Sequence, residues 1–218
     1  MVIPGMSSTI LIELHYLPCI AYFSYIASFE NVLIDIGEEY SKQSYRNRCR
    51  INGANKVENL IIPVKKRDHK QRFSEVEIDY SQKWLNSHIR AIQSAYGKAP
   101  FFEYYAEDIF EIYQARPQRL MDLNQKFLTK CLELLELQIN IDLVDSINIF
   151  SNKEVYNAKN VINPKKILPE DSLFYPQKYF QVFGKNFVPN ISVIDLIFCE
   201  GPGAGRVIKD SIPSHRPI

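Results

Sequence analysis

Hydrophobic and polar positions divide the chain at about residue 82, with a period near two before it and near 3.6 after it. Thr9 to Leu14 opens with β-branched and apolar residues and predicts a first strand, ending at His15-Tyr16-Leu17-Pro18. Pro18 suits the first position of a helix over Cys19 to Ser28, and Val32 to Ile36 predicts a second strand. Strand, helix and strand close most naturally as a right-handed parallel unit. Ser44 to Ile51 and Asn59 to Val64 flank an Asn52-Gly53 turn and predict an antiparallel ribbon. A basic loop follows from Lys65 to Arg72, then a short strand Val76 to Ile78 whose alternate positions are Glu75, Glu77 and Asp79.

From Gln82 the pattern is helical. Trp84, His88, Ile92 and Tyr96 form one stripe that stops at Gly97, a second helix runs from Pro100 to before Pro117, and a third from about Arg119 to Glu136. These three predict a helical layer on the sheet. A further strand is expected at Ile139–Leu143 or Ile147–Phe150, followed by a long loop from Asn152 to Leu173 of the kind that binds or closes over ligands. Aromatic residues cluster from Phe174 to Phe187, a last helix starts near Asn190 or Ser192, and Gly201 to Gly205 turns the chain. The expectation is α/β: one domain over residues 1–210, with a mixed sheet opened by a β-α-β unit, covered by helices, and a helical C-terminal half. An α+β arrangement is the alternative, and residues 211–218 are expected to form a frayed tail.

Composition excludes global disorder, since 46% of the 218 residues are hydrophobic and 12% aromatic. The net charge is only +1, yet ten lysines and arginines stand against two acids between Tyr40 and Arg72. Such a patch attracts phosphates, nucleotides or acidic glycans. It contains no recognised nucleic-acid module, and the near-neutral chain argues against a nucleic-acid partner. The cysteines, Cys19, Cys49, Cys131 and Cys199, form no C-x-x-C pair, which predicts a reduced, cytoplasmic setting. The first residues carry no Lys or Arg ahead of an apolar run that itself contains Glu13 and His15, unlike a signal peptide, and no transmembrane segment is expected.

Chemistry concentrates in Tyr40 to Ile51. On a strand, Ser44, Arg46, Arg48 and Arg50 would share one face, with the arginines about 7 Å apart, and Tyr45, Asn47, Cys49 and Ile51 the other. Guanidinium forks at that spacing suit carboxylate or phosphate oxygens. The competing readings are a solvated edge strand and an ion-pair lattice with Glu75, Glu77 and Asp79. His15 sits at the carboxyl end of the first strand, where open α/β sheets bind ligands. His88 reads as a packing histidine and Cys49 as a buried structural thiol. The histidines and cysteines have no metal-ligand spacing, so no metal is expected. Asp35, Glu38, Glu39 and Asp195 are candidate bases, with Asp195 equally suited to capping a helix or pairing with an arginine. The Gly201–Gly205 run lacks the Gly-Lys-Ser/Thr of a phosphate loop and reads as a helix stop.

Several motifs carry a resemblance. Tyr16-Leu17-Pro18, Tyr22-Phe23, the Tyr-Arg-Asn-Arg core at Tyr45 to Arg48, Ile62-Pro63-Val64, Ala99-Pro100-Phe101-Phe102 and the closing Phe187 to Pro202 are similar in order and spacing to the WbqC-like family. That resemblance implies a cytoplasmic accessory transferase of bacterial O-antigen or surface-polysaccharide synthesis. The transferred group would be acyl or aminoacyl (glycine), and the acceptor a nucleotide-linked or other anionic sugar. Glu39, Asp35 and His15 are then the catalytic candidates, and Tyr16, Lys42, Tyr45, Arg46, Asn47, Arg48 and Asp195 the substrate-binding ones. No cofactor is indicated. Other polysaccharide-assembly enzymes are the expected partners, and a non-catalytic binding or scaffold protein is the alternative. Many members read His-Gln-Pro ahead of Tyr-Leu-Pro, whereas Ile12-Glu13-Leu14 stands here, so His15 does not occupy the usual histidine position.

Overall fold

Buried on both faces, β1 (Thr9–Glu13) is the strand around which the others assemble, as expected of a parallel strand covered on each side. The computed structural model describes residues 8–66, 70–145 and 155–214. Helix α1 (Ile20–Ala27) is buried from Ile20 to Ile26, and β2 (Asn31–Asp35) returns parallel to β1 with Glu13 opposite Asp35. Asn190 Oδ1 accepts the Ala21 N–H at 3.0 Å, so a side chain far along the chain caps α1. On the outer edge of β2 lies β5 (Asn140–Val144), the first of the two expected positions; the other, Ile147–Phe150, lies outside the described residues.

The fourth strand, β6 (Val155–Asn157), lies within the stretch expected as a loop and pairs parallel with the free edge of β1. Strand order is therefore β5-β2-β1-β6. The chain leaves β1 toward β2 and comes back on the opposite edge, which makes the crevice between the carboxyl ends of β1 and β6 a topological switch point.

Parallel and antiparallel pairing occur in separate sheets. The ribbon consists of β3 (Arg48–Asn52) and β4 (Val57–Ile61), shorter and shifted from the predicted strands. Ser44 to Asn47 turn before the strand begins, which removes Arg46 from the row of arginines. Val76–Ile78 is reduced to isolated bridges, Val64 to Ile78 and Glu77 to Arg119.

Three helices follow as the periodicity predicts: α2 (Trp84–Tyr96), α3 (Phe102–Gln114) and α4 (Leu120–Leu134). Helix α2 packs on α3 and β3, and α3 on α4 and on α5 (Val193–Glu200). The layer is thus built on the ribbon and on α5.

A short 3-10 turn, Gly201–Gly203, leads into α6 (Ala204–Asp210), which lies on α1 where a simple chain turn was expected. Packing explains the glycines. Gly201 has φ 54° and faces the Phe101 ring, while a Cβ at Gly205 would collide with the Leu135 carbonyl at the end of α4. Because the obstacle is backbone, Gly205→Ala is expected to destabilise the protein by about 1–3 kcal/mol in urea denaturation. Ser211 is buried and its carbonyl accepts the Tyr175 N–H at 2.8 Å, so the expected tail is still anchored at that residue. Among the described residues no helix is long and apolar enough to cross a membrane.

Candidate functional site

Polar side chains collect where the parallel strands end. Glu13 closes β1, Asp35 closes β2, and Lys159 and Asn160 follow β6. Both Glu13 carboxylate oxygens accept the Asn160 N–H at 3.0 Å, across the switch-point crevice. Asp35 accepts Lys159 Nζ at 2.7 Å and the Gly37 N–H at 3.1 Å. Arg46 donates a bidentate fork to Glu38, Nε to Oε1 at 2.5 Å and Nη2 to Oε2 at 2.7 Å, and its Nη2 stands 3.8 Å from Glu13. Charge is thereby matched inside the protein, the condition for burying it.

His15 lies in this cluster, 1% exposed, between the rings of Tyr22 and Tyr45 at 4.9 and 5.5 Å. Its Nε2 is 3.4 Å from Glu13 Oε1 without hydrogen-bond geometry, and both ring nitrogens lack a hydrogen-bond partner among the described residues. Burial drives the His15 pKa below its ordinary value, against the pull of Glu13, so the ring is neutral at pH 7. For Glu13, burial is outweighed by His15 and Arg46, and the carboxyl ionises below the usual range. Burial raises Glu38 in spite of its Arg46 partner. The cluster therefore sets an ionised carboxylate against a neutral imidazole.

The turn after His15 is held under strain. Leu17 occupies the left-handed region at φ 38°, a conformation costing about 1–3 kcal/mol for a residue with a side chain. Three contacts fix it: the Tyr16 N–H on the Tyr45 carbonyl at 2.9 Å, Ser192 Oγ on the Leu17 carbonyl at 2.9 Å, and the Val193 N–H on the Pro18 carbonyl at 2.9 Å. Ser192, which precedes α5, thus uses its hydroxyl on this turn and makes no side-chain cap bond.

Of the residues singled out from the sequence, His15, Asp35, Tyr45 and Arg46 come together here, and Arg48 borders them beside Tyr40. Arg46 stands differently from expectation, because Glu38 fills its fork. Glu39 is exposed and pairs with Lys70 at 2.9 Å, and Lys42 is also exposed. Tyr16 is core: its hydroxyl bonds His88 Nδ1 at 3.0 Å and the Tyr113 hydroxyl. Asn47 clamps the ribbon, its Nδ2 on the Ile62 carbonyl at 2.9 Å. Asp195 is buried, does not cap α5 with its side chain and pairs with no arginine among the described residues; it accepts Tyr179 Oη at 2.5 Å and Gln181 Nε2 at 3.0 Å, and burial raises its pKa. Among the described residues no ion pair joins Glu75, Glu77 or Asp79 to Arg46, Arg48 or Arg50. Glu77 pairs with Lys65 at 2.7 Å, and Asp79 accepts the Ser81 N–H at 3.0 Å.

Glu13, Lys159 and Asn160 were missed. Glu13 left a signal, a lone acid inside an apolar strand, whereas Lys159 and Asn160 gain their places only when β6 pairs with β1. Cys49 is a buried thiol pushed well up by burial and so is inert, as read from its position. Among the described residues no group of three or more His, Cys, Asp or Glu is placed to hold a metal ion. A groove of about 810 Å³ between α3 and α4, lined by Asp108, Ile112, Asp122, Lys126 and Lys130 among others, shares no residue with the cluster.

No solved structure matches the chain. It is 30% identical over 126 residues to an uncharacterized protein of Mycobacterium tuberculosis, a match covering 56% of this chain and 54% of that one. The chain thus spans about half the length of that curated relative. The profile of the WbqC-like protein family matches residues 14–168, from the residue before His15 past the end of β6, and the chain belongs to that family.

Proposed function

We propose that the protein is an accessory transferase of bacterial surface-polysaccharide synthesis, moving an acyl or aminoacyl group onto the amine of an anionic, nucleotide-linked sugar. The observation that carries this reading is His15, a neutral imidazole 3.4 Å from the Glu13 carboxylate at the carboxyl edge of a parallel sheet. In such a transfer the amine attacks the donor's acyl carbon, the bond from that carbon to the donor's thiol sulfur or ester oxygen breaks, and a base takes the N–H proton and returns it to the departing thiolate or alkoxide. His15 is that base, and Glu13 at 3.4 Å stabilises the imidazolium that results. Asp35 is less suited, since Lys159 holds its carboxylate at 2.7 Å, and Glu39 is turned to solvent. The polysaccharide setting rests on membership of the WbqC-like family and on what that resemblance implies. A cytoplasmic location is supported by four free cysteines, all buried.

The test is turnover. The protein is incubated with acyl and aminoacyl donors and a panel of amino-sugar nucleotides, with His15→Asn alongside. Product is expected from the native protein, with the rate in the variant lowered at least about a hundredfold. Nucleotide-sugar binding, read as a thermal shift, should persist in the variant. Equal rates in the two proteins would remove His15 as the base. Binding without product from any donor would favour the non-catalytic binding protein.

A further inference from the structure

Each carboxylate of the cluster is already matched: Glu38 by Arg46, Asp35 by Lys159, and Glu13 by Arg46 and the Asn160 N–H. Arg48 and Arg50 are not. Both are half-buried, neither forms an ion pair with a carboxylate among the described residues, and the Nε of each is buried without an acceptor. Nη2 of Arg50 reaches the backbone carbonyl of Asn190 at 3.1 Å, and its side chain also hydrogen-bonds the neutral Tyr45 side chain. A guanidinium N–H can only donate, so a buried one without an acceptor is a cost that calls for an explanation.

The ribbon fixes where these two groups lie. Cys49 and Ile51 are buried on one face of β3, so Arg48 and Arg50 share the other, about 7 Å apart. That face meets the cluster. Tyr40 lies in the field of Arg48 and Arg46, and Tyr45, which interacts with Arg50, packs its ring on His15 at 5.5 Å. The hydroxyls of Tyr40 and Tyr22 are likewise buried without partners. Bordering the His15 cluster there are thus groups able to donate, with two guanidinium groups that meet no carboxylate among the described residues.

We infer that Arg48 and Arg50 together anchor a diphosphate, one guanidinium to each phosphate, with the Tyr40 hydroxyl as a further donor. A carboxylate has oxygens for one fork and a single phosphate must be shared between the two, whereas two linked phosphates give each guanidinium a phosphate of its own. The inference rests on the reading that the substrate is an anionic sugar, and it names the part of that substrate the protein grips. The shared chemistry is a diphosphate ester, whether borne by a nucleoside or by an isoprenyl lipid.

Isothermal titration of the native protein with orthophosphate, pyrophosphate, uridine diphosphate and geranyl diphosphate tests this directly. Pyrophosphate is expected to bind at least about tenfold tighter than orthophosphate, and the tighter of the two esters identifies the carrier. Arg48→Ala and Arg50→Ala should each weaken pyrophosphate about tenfold or more, and Arg48→Lys less, since it keeps the charge and loses the fork. Equal affinity of the native protein for pyrophosphate and orthophosphate overturns the inference, whatever the folding of the variants. So do variants that keep the native circular dichroism and bind pyrophosphate as the native protein does. The two proposals fail separately. Tight diphosphate binding without transfer leaves the anchor standing, and transfer undiminished in both alanine variants leaves the transferase without it.

Discussion

Arg46→Ala is expected to lower the free energy of unfolding by about 3–5 kcal/mol, read as a fall in the urea midpoint at unchanged slope. Arg46 is 2% exposed, and its fork is the chief compensation for Glu38 and part of that for Glu13. Removing it leaves Glu13, 1% exposed, and Glu38, 9% exposed, without their guanidinium. The loss comes from those orphaned charges more than from the ion pair itself, because the pair's attraction is largely offset by the desolvation of its members. The double variant Arg46→Met/Glu38→Leu should therefore recover much of the loss, with only Glu13 short of a partner. Arg48→Ala, half-exposed and matched to no carboxylate, should stay within about 0.5 kcal/mol of the native protein. A loss at Arg46 no larger than at Arg48 would show that water reaches Glu38, and the closed cluster would have to be abandoned.

That contrast between neighbouring arginines marks the limit of what the sequence discloses. Alternation along Ser44 to Ile51 put Arg46, Arg48 and Arg50 on one face, and it holds for Arg48 and Arg50 because both lie in β3. It fails for Arg46 because the chain turns through Ser44 to Asn47 before the strand begins, and no period-two count detects that. Helices α2 to α4 were legible because a stripe repeating over three or four turns is a long signal; β6, at three residues, exists only through pairing with β1. The glycine run before α6 looked like an end because its role, the close passage over Leu135, is a tertiary fact. His15 was visible from its place at the end of a strand. What makes it chemically distinctive is not local, since Glu13 beside it is held by Asn160, 147 positions along the chain from Glu13.

The second large effect is a dependence of stability on pH carried by His88. Its ring is buried between Trp84, at 5.0 Å, and Tyr16, at 6.0 Å; Nδ1 accepts the Tyr16 hydroxyl at 3.0 Å, and the Ile61 backbone partners the ring's other side. Burial lowers the His88 pKa from 6.5 to about 4. Between those values the unfolded chain binds a proton that the folded protein refuses, so stability falls as pH falls from 6.5 and levels off below about 4. A shift of that size corresponds to about 3 kcal/mol. His15, lowered in the same direction, adds to the trend, whereas Asp195 and Glu38, raised by burial, oppose it. Comparing the native protein with His88→Gln cancels all three. The amide keeps one acceptor and one donor but cannot be protonated in this range. Urea midpoints at pH 7, 6, 5 and 4 should show a stability difference, native minus variant, that is constant near pH 7 and moves in favour of the variant by about 3 kcal/mol at pH 4. A difference that does not change with pH would mean that His88 takes up its proton inside the folded protein. The Tyr16 hydroxyl would then have to give up Nδ1, and the buried contact between the first strand's turn and α2 would be looser than these distances imply.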